Sequence, residues 1–155
     1  MNCFRHLKVL VVDHDPIFPI LTREFLKLIG FESVSTASDV VQAIDIVTTD
    51  RHDVVIVEDE KAYDGLLDVL RRRQHKDCLI LTCAFARSDE HVLKPIKGGT
   101  DGFIGKPFTP SMLHRSLTAA LAGPAGRRLK VVDLSAVRRS NRSVAASSGR
   151  GGLAR

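Results

Sequence analysis

Lys8-Val-Leu-Val-Val12, followed by Asp13-His14-Asp15-Pro16, is the stretch that decides the fold. Four apolar residues in a row leave no polar side for water, so a strand formed here is buried on both faces. An acid ends the run. Asp15 and Pro16 then open a helix, the carboxylate as its N-cap and the proline at its first position. Ile17, Leu21, Phe25 and Leu28 recur at helical spacing, which predicts the inward face, and Gly30 ends the helix. Pro19 is a blemish in this scheme, because it removes a backbone donor just inside the first turn.

The same phrase recurs along the chain. Residues 32 to 36 read as a weak strand. Ser38 caps a helix that carries Val40, Val41, Ile44 and Val47. Residues 53 to 57 form a second wholly apolar strand, closed by Glu58, Asp59 and Glu60. A third helix runs from about Gly65 to Arg73 with Leu66, Leu67 and Leu70 inward. Arg71-Arg72-Arg73 at its end suits the helix dipole and reads as a solvated terminus. Cys78-Leu-Ile-Leu81 is a third apolar strand, ended by Thr82. Ser88 caps a helix toward Lys97, interrupted by Pro95 and broken at Gly98-Gly99. Asp101 to Ile104 is a last short strand. Thr109-Pro110 opens a final helix with Leu113, Leu117 and Leu121 on one face. Five strand–helix units with such apolar strands imply an α/β fold, a parallel sheet covered on both sides.

Composition agrees. The 155 residues are 44% hydrophobic, enough for one domain with its own core. Cys3, Cys78 and Cys83 are an odd number without C-x-x-C spacing, which predicts reduced buried thiols rather than a disulfide scaffold. Cys3 and His6 form a C-x-x-H pair, but no second pair completes a zinc site. No apolar run reaches membrane-helix length and none near Met1 resembles a signal peptide, so the expected location is cytoplasmic. The net charge of +5 is unevenly spread. Residues 123–155 carry eight Lys/Arg against the single acid Asp133, while residues 1–122 carry fifteen bases against seventeen acids. A slightly acidic body ends in a strongly basic tail.

In an open parallel α/β sheet the binding site lies beyond the carboxyl ends of the strands. There the sequence places Asp13, His14 and Asp15; Glu58, Asp59 and Glu60; Thr82 and Cys83; and Gly105, Lys106 and Pro107. Crowded carboxylates need a cation, a proton or a lysine among them. Mg²⁺ suits oxygen ligands, and a lysine and a hydroxyl opposite suit phosphoryl oxygens. The layout suggests phosphoryl transfer to or from a carboxylate.

KVLVVDHDP at 8–16, HDVVIVEDEKAYDG at 52–65, LILTCA at 79–84 and DGFIGKPFTPSML at 101–113 together resemble a response-regulator receiver domain, over residues 6–122. The resemblance implies a flavodoxin-like, doubly wound (βα)5 fold with strand order 2-1-3-4-5. It implies Asp13 in the acidic pair, Thr82 as the hydroxyl that senses the phosphoryl group, and Lys106 as the partner of the acceptor carboxylate. Pro107 follows the lysine, often after a cis peptide in the family, and Phe103 is the switch aromatic. A plain core role is the other reading of Phe103. Mg²⁺ is the family's ion, with Asp13, Asp15 and Asp59 as its ligands here only if the site is a competent acceptor.

Two departures matter more than the matches. His14 stands where the second acid belongs, and neutral imidazole is a poor Mg²⁺ ligand, so Mg²⁺ is expected to be weak or absent. Glu58 stands at the acceptor position, with Asp59 taking its place if the strand slips by one residue. A glutamate reaches one methylene further, toward Lys106 and Thr82. The expectation is a stand-alone receiver in two-component phosphorelay signalling with an atypical acceptor site. It is a signalling module rather than a metabolic enzyme, acting through contacts with a histidine kinase, a phosphotransfer protein or another receiver. The alternatives are a phosphorylatable receiver using Asp59 with Mg²⁺, and an adaptor that binds nucleic acid through the tail. Residues 1–122 are taken as the domain. Residues 123–155 are taken as a partly disordered tail, with a short strand at 129–134 that suits docking on protein or a homodimer contact.

Overall fold

The computed structural model describes residues 4–58, 63–72, 77–85 and 100–123. Five strands alternate with four helices among them: β1 Lys8–Val12, α1 Phe18–Ile29, β2 Ser33–Ala37, α2 Val40–Thr49, β3 Val54–Glu58, α3 Asp64–Arg71, β4 Leu79–Phe85, β5 Gly102–Lys106 and α4 Pro110–Ala122. All strand pairs are parallel, in the order β2-β1-β3-β4-β5. This is the expected doubly wound flavodoxin-like sheet. The expected helix at 88–97, with Pro95, and the tail beyond Gly123 lie outside the described residues, as does Asp59.

Alternation along the strands sorts the core into two layers. Val9, Val11, Val54, Ile56, Leu79, Leu81 and Ile104 pack with Leu26 of α1 and with Leu113, Leu117 and Leu121 of α4. Leu10, Val12, Val55, Val57 and Ile80 pack on the other side with Ala43 and Val47 of α2 and Leu66 and Leu70 of α3. The apolar strands are thus buried on both faces, as their composition requires.

The helices correct several expectations. In α1 the buried residues are Pro19, Thr22 and Leu26, with Phe25 and Ile29 packed alongside. Ile17 and Leu28, assigned to the inward face, are 68% and 77% exposed, and Leu21 is exposed too. Apart from a polar face of Arg23, Glu24 and Lys27 the helix is apolar, so two stripes of helical spacing compete for the sheet. Pro19 is no blemish: α1 starts at Phe18, and Pro19 falls in the first turn, where backbone N–H groups have no partner within the helix. Gly30 ends α1 in the left-handed region, at φ 117°. In α2 the N-cap is Asp39, whose side chain accepts from the Gln42 N–H at 2.8 Å, rather than Ser38. Ala43 and Val47 face inward there, and Val41 is exposed. The last helix matches its pattern: Leu113, Leu117 and Leu121 are buried, and Thr109 caps it through Met112 N–H.

Strands β4 and β5 run further than their apolar runs predict. Pairing continues through Glu58↔Cys83 and Phe85↔Lys106. Thr82, Cys83, Gly105 and Lys106 therefore lie within strands, and their side chains obey strand alternation. Glu58 is the last residue of β3, on the side of Val54 and Ile56.

Candidate functional site

Alternation carries four groups to one end of the α1–α4 layer. Asp13 continues the row of Val9 and Val11, and its N–H still pairs with the Ala37 carbonyl at 3.1 Å. Glu58 continues Val54 and Ile56, Cys83 continues Leu79 and Leu81, and Lys106 continues Ile104. Asp13, Glu58 and Lys106 are all buried. Lys106 Nζ donates to Asp13 Oδ2 and lies 3.6 Å from Glu58 Oε1. Glu58 Oε2 meets His14 Nδ1 at 2.5 Å, so one proton is held between imidazole and carboxylate. The lysine's hydrogen bond is therefore to Asp13, with the acceptor-position acid at ion-pair distance.

Burial pushes the Lys106 ammonium down, but the Asp13 hydrogen bond and the negative charge of Asp13 and Glu58 beside it outweigh that and hold the group above the usual lysine range. The ammonium stays charged, as a buried carboxylate pair requires. Two aromatics cover it. The Phe18 and Phe85 ring centroids lie 4.6 and 5.3 Å from Nζ, and the rings meet edge to face at 5.3 Å. Sequence reasoning missed both. Phe85 was within reach of it: LILTCAF keeps the alternation past Thr82 and puts Phe85 on the Lys106 face. Phe18 had no local signal.

Other expected residues lie elsewhere. Thr82 follows Ile80 toward the α2–α3 side, and its hydroxyl donates to the Gly102 carbonyl at 3.4 Å rather than to Glu58. Phe103, the Cα partner of Thr82, is half-buried and belongs to neither apolar layer. Asp15 serves the start of α1: Oδ1 accepts from the Ile17 and Phe18 N–H groups at 2.7 and 3.0 Å, which holds its carboxyl below the usual range. The Lys106–Pro107 peptide is cis. Cys78 is a buried thiol pushed up to about 12, first by burial, and so is chemically quiet.

A family model described as the response regulator receiver domain matches residues 9–118, more than half of the chain. The chain belongs to the response regulator receiver family. This receiver is 25% identical over 125 residues to a chemotaxis protein CheY homolog of Campylobacter jejuni, spanning 77% of the receiver and 96% of that relative. Among solved structures, chemotaxis protein CheY4 of Vibrio cholerae superposes with a TM-score of 0.64 at 26% identity, covering 74% of the receiver and 98% of that chain. The receiver domain of the sensor histidine kinase PA1611 from Pseudomonas aeruginosa shares the fold, with a TM-score of 0.58 at 18% identity over 70% of the receiver and 92% of that chain. That structure has a magnesium ion coordinated in its active site cleft.

Mg²⁺ asks for a near-octahedral set of oxygens. In this receiver the groups able to reach one ion, among the described residues, are Asp13, His14 and Glu58. One of the three is a nitrogen, and Asp15 has its Oδ1 engaged by two backbone donors. Among the described residues that donor set includes a nitrogen where Mg²⁺ prefers oxygen, and Asp59 lies outside the described residues. No described helix is long and apolar enough to cross a membrane.

Proposed function

We propose that this receiver is a two-component signalling module whose acceptor position is held by ion pairing rather than by phosphorylation. The observation that carries this is the Glu58 carboxylate, which lies between His14 Nδ1 at 2.5 Å and Lys106 Nζ at 3.6 Å. A carboxylate acting as nucleophile must present a free lone pair to the phosphorus, with its charge and the incoming charge neutralised. Here one oxygen shares a proton with His14 and the other faces the lysine. The Lys106 ammonium is committed to Asp13 and roofed by Phe18 and Phe85. The centre is arranged as a finished ion-pair network, and output then comes from protein contacts. The partners are a histidine kinase, a phosphotransfer protein or another receiver, with the basic tail available for docking or for a homodimer contact. Cytoplasmic placement belongs to the same reading and accords with the reduced, buried thiol of Cys78.

The test is incubation of the full chain with Mg²⁺ and acetyl phosphate, followed by intact mass and peptide mapping. The unmodified mass is expected to persist. A stoichiometric phosphoryl adduct on Glu58, or on Asp59 as in a competent Mg²⁺-using receiver, would overturn the proposal. The double variant His14→Asp, Glu58→Asp serves as the positive arm, because it removes both departures, and it is expected to take up phosphoryl.

A further inference from the structure

One row of α1 is turned to the sheet and the opposite row is left in water. Pro19, Thr22 and Leu26 are buried. At 3.6 residues per turn, Ile17, Leu21, Glu24 and Leu28 fall on the other side of the helix, with Ile20 beside them. Ile17, Ile20, Leu21 and Leu28 are four of the seven large exposed hydrophobics among the described residues, so the apolar surface is concentrated here rather than scattered. Glu24 interrupts the row and is met on its own helix by Arg23 at 3.6 Å and Lys27 at 3.5 Å. A contiguous apolar row on a water-facing helix marks a contact surface. Among the described residues no element covers it.

The chain itself supplies an occupant. The end of α4 lies at the edge of the sheet where the strands begin: Ala120 Cβ is 3.9 Å from a Cβ built on Gly102, the first residue of β5. The end of α1 lies at the same edge, because Gly30 leads within three residues to Ser33, the first of β2. The two helices pack against each other, at an axial separation of about 8–10 Å. The described chain therefore leaves at Gly123 from the end of the layer that holds Leu28, with residues 124–155 still to come. Residues 123–128 form a spacer that reaches about 20 Å when extended. Leu129-Lys-Val-Val-Asp-Leu134 follows, four of its six residues large and apolar. An extended hexamer spans about 20 Å, against about 18 Å for the helix α1. Residues 123–155 carry a positive excess and residues 1–122 a negative one, so the two attract. A segment on a short linker acts at about millimolar effective concentration, which favours it over a dilute second copy. We infer that segment 129–134 lies along the outer face of α1 in the same chain, over Ile17, Ile20, Leu21 and Leu28, and that a protein needing that face must first displace it.

This rests on the docking role proposed for the tail and not on the acceptor position, so the two fail separately. The test is the rate of tryptic cleavage after Lys130 in the full chain, read by mass spectrometry, because cleavage of a docked segment tracks its undocked fraction. The variant Leu21→Gln, Leu28→Gln is expected to be cleaved there on the order of 10-fold faster than the wild type. The tail variant Val132→Ser, Leu134→Ser is expected to show the same acceleration. All four substitutions together should give no more than either pair, because both pairs break one contact. Circular dichroism and an unchanged cleavage rate at the exposed Arg51 show that the fold is retained. The wild-type rate is expected to be independent of chain concentration. Equal cleavage at Lys130 in all four chains would overturn the inference. So would acceleration by the tail pair alone, which puts the segment on another surface, or protection that grows with chain concentration, which puts it on a second copy. A phosphoryl adduct on Glu58 with a protected tail would sink the proposed function and keep this inference. No adduct with a freely cleaved tail would do the reverse.

Discussion

Lys106 sits among two buried carboxylates and two aromatic rings, with almost no contact with water. Removing its charge takes from Asp13 and Glu58 the ammonium that both face. Lys106→Met is therefore expected to cost about 3–5 kcal/mol. Neutralising the partner as well should recover much of that loss, so Lys106→Met, Asp13→Asn is expected to be more stable than Lys106→Met alone. Urea unfolding of the wild type, both single variants and the double variant closes the cycle. A double variant no better than Lys106→Met would show that the pair is not the dominant contact of the lysine. The positions of Asp13, Glu58 and Lys106 were legible in the sequence because each closes an apolar strand. Their pairing was not. The sequence put Lys106 on the acceptor acid and Thr82 beside it, whereas the lysine hydrogen-bonds Asp13 and Thr82 bonds its own neighbouring strand. One-residue alternation decides such things, and strand ends cannot be placed to one residue from apolar runs alone.

At the scale of elements, β5 depends on one glycine. A Cβ built on Gly102 would lie 2.6 Å from Leu81 Cδ2, inside van der Waals contact. Gly102 pairs with Leu81 across β4–β5, and Leu81 is fully buried. Gly102→Ala is thus expected to destabilise by about 1–3 kcal/mol through overpacking. Gly105→Ala is the control: nothing lies within 4 Å of its built Cβ, and its cost should be smaller in the same chemical denaturation series. Elements of this kind were legible wherever composition left a single choice. The runs at 9–12 and 54–57 had to be strands with both faces buried. The stripe Leu113, Leu117 and Leu121 is the one that faces the sheet. By contrast, α1 offers apolar residues on most of its surface, and periodicity there named the outer stripe instead of the inner one.

Across the whole molecule, His114 on α4 ties the start of the chain to its last described helix. Its ring meets Phe4 edge to face at 5.6 Å, and Phe4 in turn stacks on Phe31 at 4.8 Å. Burial holds the imidazole below its ordinary value of 6.5. The folded chain then binds the proton less readily than the unfolded chain, so stability is complete above pH 6.5 and is lost as pH falls through the folded value. Lys106 does not interfere. Its folded value is raised, and its contribution is present below 10.5 and lost only as pH climbs through the higher folded value. Between pH 7 and 5 the wild type is expected to lose stability more steeply than His114→Phe. Urea midpoints across that range measure the difference, and the carboxylates common to both chains cancel. Identical slopes would mean that the imidazole is not shielded in the native state.

The sheet is also a partition. Asp13, Glu58 and Lys106 lie toward α1 and α4, whereas Thr82 follows Ile80 to the other face of the sheet, the face to which alternation also turns Phe103. The charged groups and the Thr82 hydroxyl therefore sit on opposite faces of one sheet. Among the described residues the two faces share the main chain of β4 and β5, where Cys83 adjoins Thr82 and Ile104 adjoins Phe103.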